Sequence, residues 1–242
     1  LRDGGAGGAG IVVDKSRKSA VGPAAVNAGT IVEVRDLFSA TPARLKFMKS
    51  ERAENAAAAE VVRRLAMANP GIGFSFTAGE RTAIRLPRTS AGPDGLLSRL
   101  GRIMGPEFMR DAVPVAGGRD GIAISGFAGL PTLNRPDAGQ LYLFVNGRPV
   151  RDRLLLGALR AAYGDLVPKG RQPVVALFLT LPPAEVDVNV HPAKTEVRFR
   201  DGGAVRSVLI GCVRAALEQA GHRASAGGGA TLAGTLAGNA AR

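Results

Sequence analysis

Residues 141–165 read LYLFVNGRPVRDRLLLGALRAAYGD, and three devices in this stretch constrain the fold around it. Leu141 to Val145 is an apolar run of strand length. Asn146-Gly147 predicts a two-residue hairpin, because a type I′ turn needs positive φ at both central positions, which Asn and Gly adopt most readily. Asp152 is placed to cap a helix that reaches about Tyr163.

Downstream, Pro173 to Leu181 is continuously apolar, the pattern of a strand buried on both faces. Val186, Val188 and Val190 alternate with Asp187 and Asn189. His191-Pro192-Ala193-Lys194 interrupts that run, and Val197 and Phe199 resume it. A final helix is expected from about Gly203 to Ala220, with Val205, Leu209, Cys212, Val213 and Ala216 on one stripe. Cys212 is thereby a core residue rather than a nucleophile. Residues 221–242 are mostly Gly, Ala, Thr and Ser with no acid and no periodicity, the composition of a linker.

Upstream, Leu97, Leu100 and Met104 mark a short helix over 96–104. Strands are expected at 112–115 and 121–127 across a Gly117-Gly118 turn, and at 73–77 and 82–86 around Ala78-Gly79. An alanine-rich helix over 51–68 carries Val61, Val62 and Leu65 on one side and stops at Asn69-Pro70-Gly71. Thr41 and Pro42 suit the cap and first position of a short helix through Leu45, Phe47 and Met48. Ile31 to Phe38 alternates apolar and charged residues, as a half-buried strand does. Gly5, Gly7 and Gly10 spell a formal G-x-G-x-x-G, but they precede the strand-like Ile11-Val12-Val13. A dinucleotide fingerprint follows a strand and opens a helix, so a loop between strands is expected here.

The 242 residues suffice for one large or two small domains without staples. One cysteine permits no internal disulfide, and two histidines leave little for a soft metal site. The longest apolar runs fall short of the ~20 residues that span a bilayer, so no membrane partner is expected. The start, Leu1-Arg2-Asp3, lacks a Met and an apolar core and reads as the middle of a longer protein. The net charge is +12, and 26 of the 32 cations are arginine in a chain heavy in alanine and glycine. Part of that excess is the bias of GC-rich coding, and the rest is available to an anionic partner. With no Trp and 5% aromatics, a base-stacking platform is disfavoured.

Two stretches carry a family resemblance: GTIVEVRDLFSATPARLKFMKS at 29–50, and LFVNGRPVRDRLLLGALRAAYGD with PPAEVDVNVHPAKTEVRFRD at 143–165 and 182–201. Both resemble the MutL family of DNA mismatch-repair proteins, in order and in separation, and the likeness covers most of residues 11–220. It implies an α+β chain: the C-terminal part of a GHKL ATPase α/β sandwich over 1–70, a ribosomal S5 domain 2-like domain over 80–220 with helices on one side of its sheet, and a disordered linker over 221–242. The family's general-base Glu, Mg²⁺-holding Asn and ATP lid lie upstream of Gly29, and its GFRGEAL motif is absent from these residues. ATP and Mg²⁺ are therefore expected to be held mainly by that upstream region, and this chain alone is expected to show no ATPase above background. Ala40 stands where the family usually has Asn before Thr-Pro-Ala-Arg, which puts any contact of that side chain in doubt.

The resemblance places a γ-phosphate-contacting lysine at Lys194, and a compact rotatable ammonium suits a phosphate as a point charge. It places Thr30, after Gly29, near the adenine. His191 lacks ligand partners and is expected to bond local backbone. Asp36 and Arg44 are expected to pair with each other or with the ATPase body. Arg148, Arg151, Arg153 and Arg160 gather around the hairpin and its helix, and guanidinium forks suit DNA phosphates. The implied partners are double-stranded and mismatched DNA, a MutS-type recognition protein and a second MutL chain, in a bacterial cytoplasm at the nucleoid. Two other readings remain open at this point. One is a non-enzymatic nucleic-acid-binding module with the S5-like fold; the other is the transducer region of another GHKL protein such as a type II topoisomerase.

Overall fold

The computed structural model describes residues 8–26, 28–190 and 194–239, with 223–239 described by backbone alone. The chain divides into two compact units, one ending at Asn55 and the other beginning at Ala56.

In the first unit, β1 (Gly8–Gly10) pairs antiparallel with β4 (Gly22–Ala24). Between them, β2 (Val13–Asp14) and β3 (Arg17–Lys18) form a minimal hairpin. Its turn residues Lys15 and Ser16 have φ of 44° and 70°. Gly10 is thus in a strand rather than the expected loop, while Gly5 and Gly7 lie outside the described residues. The strand expected over 31–38 does not form. Left-handed φ at Asp36 (48°) and Phe38 (70°) turns the chain there. No described strand offers residues 31–35 a ladder, and Ile31, Val32 and Val34 are 74%, 82% and 70% exposed. A strand is held by its neighbour, and alternation cannot replace one. Thr41 does precede α1 (Pro42–Leu45) with Pro42 in the first turn, but its side chain makes no capping bond.

Helix α2 (Glu51–Ala68) has the expected span. Its buried face differs from the expected one: Ala59, Ala66 and Met67 are buried, while Val61 and Leu65 are exposed. Ala59 and Ala66 pack on Ile84 and Leu86 of the hairpin β5 (Phe74–Ala78) and β6 (Arg81–Leu86). That packing ties α2 from Ala56 onward to the second unit. Helix α3 (Pro93–Met104) follows, then a further short helix, α4 (Pro106–Asp111), beyond those expected. Gly105, with φ of 102°, separates them. Arg99 of α3 is fully buried, and its Nη2 donates to the carbonyls of Pro70, Ile72 and Pro87 at 2.7–2.9 Å.

The remaining strands are β7 (Ala112–Arg119), β8 (Ile122–Gly129), β9 (Asn134–Arg135), β10 (Leu141–Val145), β11 (Arg148–Val150), β12 (Gln172–Pro173), β13 (Val175–Thr180), β14 (Val186–Asp187) and β15 (Arg198–Phe199). Five of them make the central sheet in the order β11-β10-β13-β8-β7. Only β10 and β13 run parallel, and the helix α5 (Arg153–Tyr163) lies between them in sequence, as a parallel crossover requires. The β7–β8 turn falls at Asp120-Gly121, not at Gly117-Gly118, because the Asp-Gly pair takes positive φ (55° and 81°). Gly117 is instead inside the strand, where a Cβ would meet Cys212 Sγ at 2.7 Å.

Side chains alternate across β10 and both sets are buried. Leu141, Leu143 and Val145 pack with Leu155 and Leu159 of α5 and with Val205, Leu209 and Val213 of α6 (Gly202–Asn239). Tyr142 and Phe144 pack on the opposite face with Met67, Leu100 and Phe108. The sheet is therefore covered by helices on both sides, a correction to the expected one-sided arrangement. The apolar stripe of α3 marks why: Leu96, Leu100 and Met104 need an apolar surface of their own. Val175 to Leu179 of β13 supplies both faces, as its continuous apolar run implied. The backbone of α6 stays helical to Asn239, beyond the expected end at Ala220.

Candidate functional site

The β10–β11 hairpin builds the site. Asn146 and Gly147 have φ of 49° and 78°, the type I′ requirement. The Asn146 amide also clamps the end of β13: Nδ2 donates to Leu181 O at 3.0 Å, and the Leu181 N–H donates to Oδ1 at 3.1 Å. The turn is thus tied to the sheet centre and holds Arg148 at the surface. Three residues on, the Arg151 N–H donates to Thr195 O at 2.7 Å. That bond lays the segment carrying Lys194 alongside the hairpin.

A cleft of about 290 Å³ results, lined by Val61, Arg64 and Leu65 of α2, by Arg148 to Arg151, and by Lys194 and Thr195. Arg148, Arg151 and Lys194 are exposed, and among the described residues none of them ion-pairs with a carboxylate. Arg64 is buried. Its Nε meets Glu60 Oε1 at 2.9 Å, and its guanidinium lies over the Tyr142 ring at 4.8 Å. Sequence reasoning misses Arg64. The one signal for it is the Glu60–Arg64 spacing of one helical turn, which also occurs in many solvated helices.

Arg153 and Arg160 do not line this cleft. They sit two turns apart on α5, both exposed, and Arg160 Nε donates to Gln172 Oε1 at 3.1 Å. Asp152 caps the helix as expected, its Oδ1 accepting the Leu155 N–H at 3.1 Å. The four arginines therefore split between a cleft and a helix face.

Thr30 belongs to the first unit and is exposed, beside Gly29 (φ 121°), in a depression of about 760 Å³ with Gly10, Val13 and Glu33. His191 lies outside the described residues. Asp36 and Arg44 do not pair with each other; the carbonyl of Asp36 accepts the Ser39 N–H at 2.9 Å, and Arg35 pairs with Glu33 at 2.7 Å. Cys212 is half-buried in the α6 interface, and burial pushes its thiol pKa up, which suits a packing role. Among the described residues no group of three or more His, Cys, Asp or Glu is placed to hold a metal ion. Nor is any described helix long and apolar enough to cross a membrane.

Comparison with solved structures places this architecture. The N-terminal domain of a DNA repair protein superposes with a TM-score of 0.70 at 22% identity, over 87% of this chain and 68% of that one. The Aquifex aeolicus MutL ATPase domain complexed with ADP superposes with a TM-score of 0.56 at 24% identity, over 84% and 67%. The chain thus shares the mixed α/β fold of these two structures. The family description "DNA mismatch repair protein, C-terminal domain" matches residues 100–218. The DNA mismatch repair protein MutL of a Chelativorans species is 54% identical over 226 residues, 93% of this chain and 36% of that protein. The chain belongs to the MutL family of DNA mismatch-repair proteins, and spans about a third of the length of the curated relatives it matches.

Proposed function

We propose that this chain serves a MutL-type mismatch-repair ATPase by contacting nucleotide phosphate through Lys194 and duplex DNA through basic residues around α5. The observation that carries the reading is identity above half over nine-tenths of the chain to mismatch-repair proteins, with the VDVNVHPAK motif intact at Lys194. The ADP-bound state of the Aquifex relative supports a nucleotide ligand. The chemistry of the cations fits a polyphosphate tail, since Lys194 offers a mobile ammonium and its neighbours offer guanidinium forks. No described group of carboxylates fits Mg²⁺, so no metal-dependent step is assigned to these residues.

In this reading residues 1–70 belong to the ATPase sandwich and 80–220 to the S5-like transducer. The ammonium of Lys194 reports the γ-phosphate to the transducer, and closure of a MutL homodimer on DNA and recruitment of MutS-type partners follow from that contact. Thr30 stands near the adenine. The cellular setting is the bacterial cytoplasm. The test is Lys194→Ala in a protein of the relatives' full length carrying this sequence. ATP turnover should fall by roughly tenfold or more, the cost of losing a charged hydrogen bond, with an unchanged thermal midpoint. Unchanged kinetics at unchanged stability would remove Lys194 from the site.

A further inference from the structure

We propose that Arg64, Arg148, Arg151 and Lys194 form one discrete oxyanion site in the second unit, sized for a diphosphate-like group. The proposal stands on the cleft itself and goes beyond the nucleotide role given to Lys194 alone. It also reassigns Arg148 and Arg151 from a general DNA-facing patch to a defined pocket.

Four cations line this cleft and no acidic residue does. Of these four cations Glu60 pairs with Arg64 alone, from one turn earlier on α2, and it also meets Arg63 Nη1 at 3.7 Å. Three like charges are therefore held together without counter-charge by backbone devices: the Asn146-Gly147 turn for Arg148, and the Arg151–Thr195 bond for Arg151 and Lys194. Lys194 itself has φ of 51°, a left-handed conformation that a lysine rarely adopts and that needs surrounding structure to persist. Like charges so gathered raise the local concentration of anions, and the apolar walls Val61, Leu65, Pro149 and Val150 focus the field.

Size selects among anions. The cleft's 290 Å³ lies at the lower limit of small-molecule sites, so it accepts a phosphate or pyrophosphate group rather than a whole nucleotide. Arg64 is the pre-organised member, its plane fixed between Glu60 and Tyr142. Arg148 and Arg151 are the adjustable forks, and Lys194 the point charge.

The experiment is titration calorimetry of the 242-residue chain with sodium pyrophosphate at low salt. One saturable site is expected. Arg148→Gln and Arg151→Gln should each weaken it roughly tenfold, the usual effect of removing one charged hydrogen bond. Arg206→Gln removes the same charge from an exposed position on α6 and should leave it unchanged. Circular dichroism melting checks that each variant is folded, and exposed Arg148 keeps the test decisive where Arg151→Gln disturbs the hairpin. Displacement of pyrophosphate by a nucleoside triphosphate but not by a duplex assigns the natural occupant to a nucleotide tail. Displacement by a short duplex assigns it to a backbone phosphate; both outcomes uphold the site. Absence of saturable binding, or equal loss in Arg206→Gln and Arg148→Gln, overturns it. Failure of the Lys194 ATPase test with intact pyrophosphate binding would remove the nucleotide reading and leave the cleft.

Discussion

Tyr163 shows how one residue can tie a site-bearing helix to the sheet. Its hydroxyl donates to Gly129 O at 2.7 Å from a side chain that is 2% exposed. Burial holds its phenol pKa well above the ordinary tyrosine range. The folded state therefore keeps the proton when the unfolded state has lost it. The stabilising contribution is complete below the ordinary pKa of ~10 and declines as pH rises above it. Urea midpoints should accordingly fall as pH rises from about 10 upward. Tyr163→Phe should start about 1 kcal/mol less stable at neutral pH, because the hydrogen bond is gone, and then decline less steeply. Parallel curves for the two proteins would show that Tyr163 does not carry the alkaline loss. Tyr142 and Cys212 are shifted in the same direction by burial and leave a residual slope in both. Among residues, those with local chemistry are legible in the sequence: Asn146, Gly147 and Asp152 act through their own turn or cap. Arg64 and Arg99 are not, because their roles depend on carbonyls and rings brought from elsewhere in the chain.

At the scale of elements, α5 carries the exposed arginines that the cleft leaves out. Arg153 and Arg160 lie two turns apart, ~10.5 Å along the axis, on a helix anchored by Leu155 and Leu159. In the proposed reading this face contacts a duplex through its phosphates, without sequence preference. Replacing both by Glu should lower duplex affinity and flatten the log–log salt dependence by up to ~0.9 for each phosphate no longer neutralised. A double variant with the wild-type slope would make this face ordinary solvated charge. Periodicity makes the helices and central strands of the second unit readable, since α5, β10 and β13 announce themselves through caps, turns and apolar runs. Ile31 to Phe38 misleads for a physical reason. Its alternation is real, but left-handed turns at Asp36 and Phe38 and the lack of a described ladder leave it irregular. The turn at Asp120-Gly121 is obscured by Gly117-Gly118, whose glycines serve close packing: a Cβ on Gly118 would meet Ile122 O at 2.5 Å.

Across the whole molecule, the second unit is a sheet sandwiched between α5 and α6 on one face and α2, α3 and α4 on the other. Linear motifs are enough to point to the mismatch-repair family. The gathering of Arg64, Arg148 and Arg151 around Lys194 is not written in any one motif, because it depends on the packing of α2 against the hairpin. In the proposed reading this stretch is a working part of mismatch repair and Lys194 is essential to it. The direct measurement is the spontaneous mutation rate of a MutL-deficient bacterium carrying a full-length relative in which these residues replace their counterparts. With the chimera expressed at the relative's own level, the mutation rate should be restored to near that of the repair-proficient strain. Lys194→Ala in the chimera should return it to the deficient rate. A chimera that is soluble and abundant yet leaves the rate at the deficient level would exclude these residues from repair, and a Lys194→Ala chimera that repairs normally would exclude an essential role for Lys194.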